Sequence, residues 1–156
     1  MSIRKRTWTT GKGVEKTAWV VDYVDTKGTR RLKTFAKKKD ADAFEATAKV
    51  EVREGVHVAD SASATVETAG KLWLASAAAS GLERTTVDSY RSHLDLHIVP
   101  FIGEMRLTAL NIPAVRAFED QLRENCRSPA MVRKVMVSLG SLLADAQERG
   151  LTGRNV

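Results

Sequence analysis

The chain has one cysteine, Cys126, among its 156 residues. A lone thiol excludes an internal disulfide and a cysteine-built zinc site, suits a reducing compartment, and is expected to be inert here. Long apolar runs are missing too. The longest, Leu72 to Ala79, is interrupted by Ser76 and falls well short of the roughly 20 residues a membrane-spanning helix needs. Arg4-Lys5-Arg6 is followed by no apolar core, so no secretory leader is read. Phosphate-loop and metal signatures are lacking. Gly11-Lys12-Gly13 is too short for a Walker motif, and His93 and His97 stand four apart without the acid of a His-Glu-x-x-His pattern. We therefore expect no metal, no cofactor, no small-molecule ligand and no membrane partner.

What the chain does have is uneven charge. Its net charge is +6, and residues 1–39 hold twelve Lys/Arg against three acids, whereas residues 57–156 hold eleven of each sign. A basic surplus confined to one short segment is an electrostatic footprint for a polyanion. A solubilising charged face is the alternative.

The patterning gives an α+β chain. Residues 3–8, 18–24 and 29–35 read as strands, the second rich in β-branched and aromatic residues (Ala18-Trp19-Val20-Val21-Asp22-Tyr23-Val24). Asp25-Thr26-Lys27-Gly28 is a turn signal between the last two. Ala41, Phe44, Ala48 and Val52 then recur at helical spacing over 39–54, and Gly55 is a stop signal. This predicts a small three-stranded antiparallel sheet with one helix, spanning 1–56. Residues 57–64 are small and polar without amphipathic pattern and read as a linker. From residue 65 the pattern is helical throughout. A first helix ends near Gly81. A second opens at a capping box, Thr85-Thr86-Val87-Asp88, and ends at Pro100 and Gly103. A third enters through Asn111-Ile112-Pro113, and a fourth starts at Ser128-Pro129 and closes at Gly150. Residues 65–156 are thus expected to form an all-α four-helix unit.

Two sets of residues carry a family resemblance. Trp19-Val20-Val21-Asp22-Tyr23, Lys27-Gly28, Arg30-Arg31-Leu32-Lys33-Thr34-Phe35 and Lys38-Lys39-Asp40-Ala41 resemble the arm-binding module of phage-type tyrosine recombinases, the integrases. Trp73-Leu74, Thr85-Thr86-Val87-Asp88-Ser89-Tyr90 and His97-Ile98-Val99-Pro100-Phe101-Ile102-Gly103, with Leu107 and Leu110 after them, resemble that family's SAM-like core-binding domain. Gly150-Leu151-Thr152-Gly153-Arg154-Asn155 is similar to the junction before its catalytic domain. The resemblance implies a non-catalytic front portion that binds double-stranded DNA at arm and core attachment sites. It also implies a parent protein that acts as a tetramer on DNA in the cytoplasm of a bacterial or phage-infected cell. The family's nucleophilic Tyr and its Arg, Lys and His helpers would lie in a domain this chain lacks. The abrupt close at Asn155-Val156 reads as truncation. No His-x-x-Arg occurs after His57, His93 or His97, so no catalytic residue is assigned.

The resemblance further implies a sheet laid in the major groove, which has room for a two-stranded ribbon. The candidate DNA contacts are Arg4, Lys5 and Arg6, tracking the backbone or entering the minor groove as an arm, then Lys27, Arg30, Arg31 and Lys33. Arg31 and Lys33 share one strand face and Arg30 the other, and Arg31 is the residue expected at a guanine edge. Trp19 and Tyr23 share a face, either as core beneath the helix or flanking DNA sugars. Lys38 and Lys39, after Lys37, stand at a helix start, where free amides suit phosphate. In the helical unit, Arg84, Thr85, Thr86, Arg91, Arg133 and Lys134 are the candidates. Tyr90 is read as a packed ring and His97 as structural. A stand-alone DNA-binding regulator, a helical protein-interaction module and an unrecognised small enzyme are the rival readings, the last with no convergent acid, base and nucleophile to support it.

Overall fold

The computed structural model describes residues 1–125, 127–153 and 156. Cys126 lies outside the described residues, as do Arg154 and Asn155 of the closing junction-like stretch. The chain is α+β and divides into two compact units, Met1–Ala59 and Asp60–Val156.

The first unit is an antiparallel sheet in the order β1 (Ser2–Thr9), β2 (Glu15–Val24), β3 (Arg30–Phe35), with one helix, α1 (Lys38–Arg53). Its register pairs Lys5 with Trp19 and Trp19 with Phe35, and Ile3 with Val21 and Val21 with Lys33. Directly paired residues share a face, so Ile3, Trp19, Val21, Tyr23 and Phe35 all point one way. There they meet Ala41 and Phe44 of α1 in the unit's small core. Trp19 and Tyr23 therefore lie on the helix-covered face, Tyr23 buried and Trp19 half-buried against the core. Tyr23 is buried edge-on against Phe44 and His57.

The β2–β3 turn is built by one carboxylate. Asp25 Oδ1 accepts from the amides of Lys27 and Thr29, both at 2.9 Å, and Gly28 turns the chain at φ 77°. A side chain there would face the steric cost of the left-handed region.

The expected linker is not one. His57 is buried, its Nδ1 2.8 Å from Glu51 Oε2 and its Nε2 3.1 Å from the Tyr23 hydroxyl. It belongs to the first unit. From Asp60 the chain belongs to the second: Arg106 Nη1 donates to the carbonyls of Asp60 and Ser63, and the Leu107 amide donates to the Ala64 carbonyl. Small polar residues are thus taken up in satisfying buried and half-buried partners on either side.

The second unit holds five α-helices among the described residues rather than four. These are α2 (Val66–Ala79), α3 (Arg84–His93), α4 (Val99–Ile102), α5 (Ile112–Glu124) and α6 (Pro129–Glu148). The expected second helix is split into α3 and α4 by a π-helical turn, Leu94–Ile98. Pro100 does not end it. The Val99 amide bonds back to the Leu94 carbonyl, five residues earlier, so the register has already shifted when proline, lacking an amide, arrives in the first turn of α4. Gly103 is the cap that follows.

The helix starts also differ in one place. Glu83, not Thr85, is the residue before α3, and it makes no side-chain cap. Thr65, Asn111 and Ser128 do cap, accepting from the amides of Thr68, Ala114 and Met131. The core runs from Val66 and Trp73 through Leu94, Ile98 and Phe118 to Val135, Leu139 and Leu142 of α6. Gly70 lets α2 approach the π turn closely: a Cβ there would lie 2.5 Å from a Leu94 methyl. No described helix is long and apolar enough to cross a membrane.

Candidate nucleic-acid interface

Because α1 covers only one side of the sheet, the other side is left open. Its residues follow from the register: Arg4, Arg6 and Trp8 on β1; Lys16, Ala18, Val20, Asp22 and Val24 on β2; Arg30, Leu32 and Thr34 on β3. Ala18 and Val20 lie low on the central strand and are buried. The cations stand around them, and Arg4, Arg6, Lys16 and Arg30 are all exposed. This face holds four cations against one acid, while α1 together with its cap Glu54 carries five acids against four cations. The open face therefore carries three of the six net positive charges of residues 1–59, and the covered face adds Lys5, Arg31 and Lys33 to the charges of α1.

Asp22 organises part of this face. Arg30 donates to it through Nε at 2.9 Å and through Nη2, and Arg4 Nη2 lies 3.7 Å from the same carboxylate. The hydrogen bond from Arg30 holds the Asp22 carboxyl below the usual carboxylate range, and Asp22 in turn raises Arg30. The Asp22 side chain is 13% exposed while that of Arg30 is 68% exposed. The acid is thus recessed, and the guanidinium it grips stands out.

The remaining candidates of the first unit are divided between surfaces. Arg31 and Lys33 lie on the helix-covered face. Arg31 Nε donates to Asp25 Oδ2 at 2.8 Å, which lowers the Asp25 carboxyl together with the Thr29 and Lys27 amides. Lys33 Nζ sits 4.3 Å from the Phe44 ring centroid and 5.6 Å from that of Phe35, a cation–π arrangement. Arg31 is therefore a turn clamp by placement, not a residue presented on the open face. Lys5 alternates to the helix side, away from its neighbours Arg4 and Arg6. Lys27 is exposed in the turn, and Lys38 and Lys39 begin α1, with Lys38 Nζ 5.6 Å from the Trp19 ring. Sequence reading passes over Lys16, Asp22 and Leu32. Strand parity alone would find them once the Thr10–Val14 turn has fixed the β1–β2 register.

In the second unit, Arg84, Thr85, Thr86 and Arg91 are on or at the start of α3 and partly or fully exposed. Asp88 sits among them, 3.8 Å from Arg84 and 3.2 Å from Arg91, which cancels part of their charge. An open groove of about 610 Å³ joins α3 and the π turn to the start of α6. It brings Lys134 beside Ser89, Ser92, His93 and His97; Arg133 is exposed outside that lining. His93 Nδ1 is 2.8 Å from the buried Ser138 hydroxyl. Burial, then Lys134, pushes His93 below its ordinary value; burial, then Arg127 and His93, does the same to His97. His97 is buried within the π turn, the structural placement expected. Both histidines are thus held neutral near pH 7 and add no charge to the groove.

The two tyrosines are packed. Tyr23 is 4% exposed, and Tyr90 stacks on Trp73 with ring centroids 4.6 Å apart. Among the described residues, no group of three His, Cys, Asp or Glu side chains is placed to hold a metal. Comparison with models of protein families, with curated proteins and with solved structures finds no match.

Proposed function

We propose that this chain binds double-stranded DNA through the open face of its sheet, assisted by the α3–α6 side of its helical unit. We further propose that it does so as the non-catalytic, DNA-holding part of a site-specific tyrosine recombinase of the integrase type. The observation that carries the reading is the uncovered sheet face, with four exposed cations around a low apolar floor and a single recessed acid. A major groove admits a two-stranded antiparallel ribbon, and cations on the adjoining strand can reach the phosphates beside it. The integrase assignment rests on the residues of the resemblance, and arm-type sites for the first unit and core-type sites for the second come with it. Cytoplasmic action and a tetrameric parent belong to the same proposal. Strand cleavage is assigned to residues outside this chain.

The test is selection of bound duplexes from a randomised pool by the full chain, repeated with Arg4→Ala/Arg6→Ala. Enrichment of a discrete motif that the double variant no longer retains supports the reading. If no duplex is retained at about 0.05 M salt, where phosphate contacts are strongest, DNA binding is abandoned and the helical interaction module takes its place.

A further inference from the structure

Resting on that reading, we infer that Arg30 and Leu32 of β3 form a base-reading pair, with Asp22 as the residue that positions Arg30. Together they recognise a guanine and a nearby thymine methyl in the major groove.

Three observations carry the inference. First, the Asp22 carboxylate engages the Nε and Nη2 side of the Arg30 guanidinium. An arginine has five N–H donors in a fixed fork. Two are used here, which leaves the donors of the Nη1–Nη2 end on a side chain that is 68% exposed. That end matches the O6 and N7 acceptors of guanine, the commonest specific arginine contact in DNA. Gripping the guanidinium from behind removes rotamer freedom that binding would otherwise have to remove.

Second, Leu32 lies two residues along the same strand, on the same face, and is 57% exposed. Thymine's C5-methyl is the apolar group on the major-groove edge, and an aliphatic side chain on the same face as Arg30 is placed to meet it. Two strand residues span about 6.7 Å, which is about two base-pair steps when β3 follows the groove.

Third, the other side of β3 is already occupied. Arg31 is bound to Asp25 and Lys33 sits against aromatic rings, so β3 presents its reading residues on the open side alone.

The test uses the full chain and the duplex it selects from a randomised pool. The duplex is remade with 2′-deoxyuridine for each thymidine in turn and with 7-deazaguanine for each guanine. Removing one methyl should weaken wild-type binding about fourfold, and the same change should leave Leu32→Ala unaffected. Removing the N7 acceptor at one guanine should weaken wild-type binding about tenfold. Arg30→Ala should be blind to that change, and Asp22→Asn should show a reduced response with an unchanged melting temperature. Because Leu32 is exposed, its alanine variant is a test that does not endanger folding. If wild-type chain binds the duplex but responds to neither analogue at any position, or if Leu32→Ala still senses the methyl, the inference is overturned while DNA binding stands. If no duplex is selected, both fall.

Discussion

Arg6 and Lys5 are adjacent in sequence and equal in charge, yet β1 turns them to opposite faces. Arg6→Ala removes a cation from the open face, and Lys5→Ala removes one from the helix side. Removing one cation that neutralises a phosphate flattens the dependence of log K on log salt by about 0.9 for duplex DNA. Arg6→Ala should therefore reduce the slope by about 0.9 and weaken binding about eightfold at about 0.1 M salt. Lys5→Ala should leave the slope within error of wild type. Both side chains are exposed, so neither change should move the melting temperature by more than a degree or two. The assay is fluorescence anisotropy of a labelled duplex titrated with the full chain at four or five salt concentrations, with thermal melts as the control. If Lys5→Ala flattens the slope as much as Arg6→Ala does, the polyanion meets the segment as an unstructured basic arm. The assignment of the open face is then wrong, whatever the affinity.

Three further outcomes follow from packing and titration. Gly70→Ala places a Cβ 2.5 and 2.9 Å from the methyls of Leu94, itself 1% exposed. The overpacking cost of about 1–3 kcal/mol outweighs the gain of about 1 kcal/mol in helix propensity, so calorimetry should show a lower melting temperature, partly restored by Leu94→Val. Tyr23→Phe removes the hydroxyl that meets the buried His57 ring, and should cost about 1–3 kcal/mol by denaturant titration; an unchanged midpoint would refute the network. His93 and His97 both titrate below their ordinary value of 6.5 when folded. The unfolded chain therefore takes up protons first, and stability present above pH 6.5 is lost as the pH falls through the folded values. Melting temperatures should drop between pH 7 and pH 5, and His97→Leu should flatten that drop.

The strands, the turn and the α1 stripe are legible in the sequence because each is a local pattern. Alternation places Arg30 opposite Arg31 and Lys33 without any coordinates, but it cannot say which side the helix will take. That is settled by Trp19, Val21 and Tyr23, whose combined apolar surface draws α1 onto their face. Arg31 thus lies on the covered face, a placement that its own strand pattern does not announce. Two differences between pattern and structure have the same origin. Residue 57 looks like linker because a histidine among small residues has no pattern, and its burial depends on Glu51 and Tyr23, which lie 6 and 34 positions away. Pro100 looks like a terminator because a proline removes an i to i−4 bond, and the preceding π turn that removes the need for that bond leaves no compositional trace.

Net charge misleads in the same way, because what a polyanion meets is a face. On the first unit the sheet sends Arg4, Arg6, Lys16 and Arg30 to the open side with Asp22 as the acid among them, while the acids of α1 offset part of the charge on the covered side. The second unit is neutral in sum, and its cations on α3 are held close to Asp88. A field of this kind attracts weakly and is easily screened. Binding by the whole chain should therefore draw most of its salt dependence from the first unit, and the second should add interactions that depend on shape and position. An Asp88→Asn change releases Arg84 and Arg91 from their acid. It should steepen the salt slope of the full chain, and a slope that stays unchanged would mean that α3 does not face the DNA.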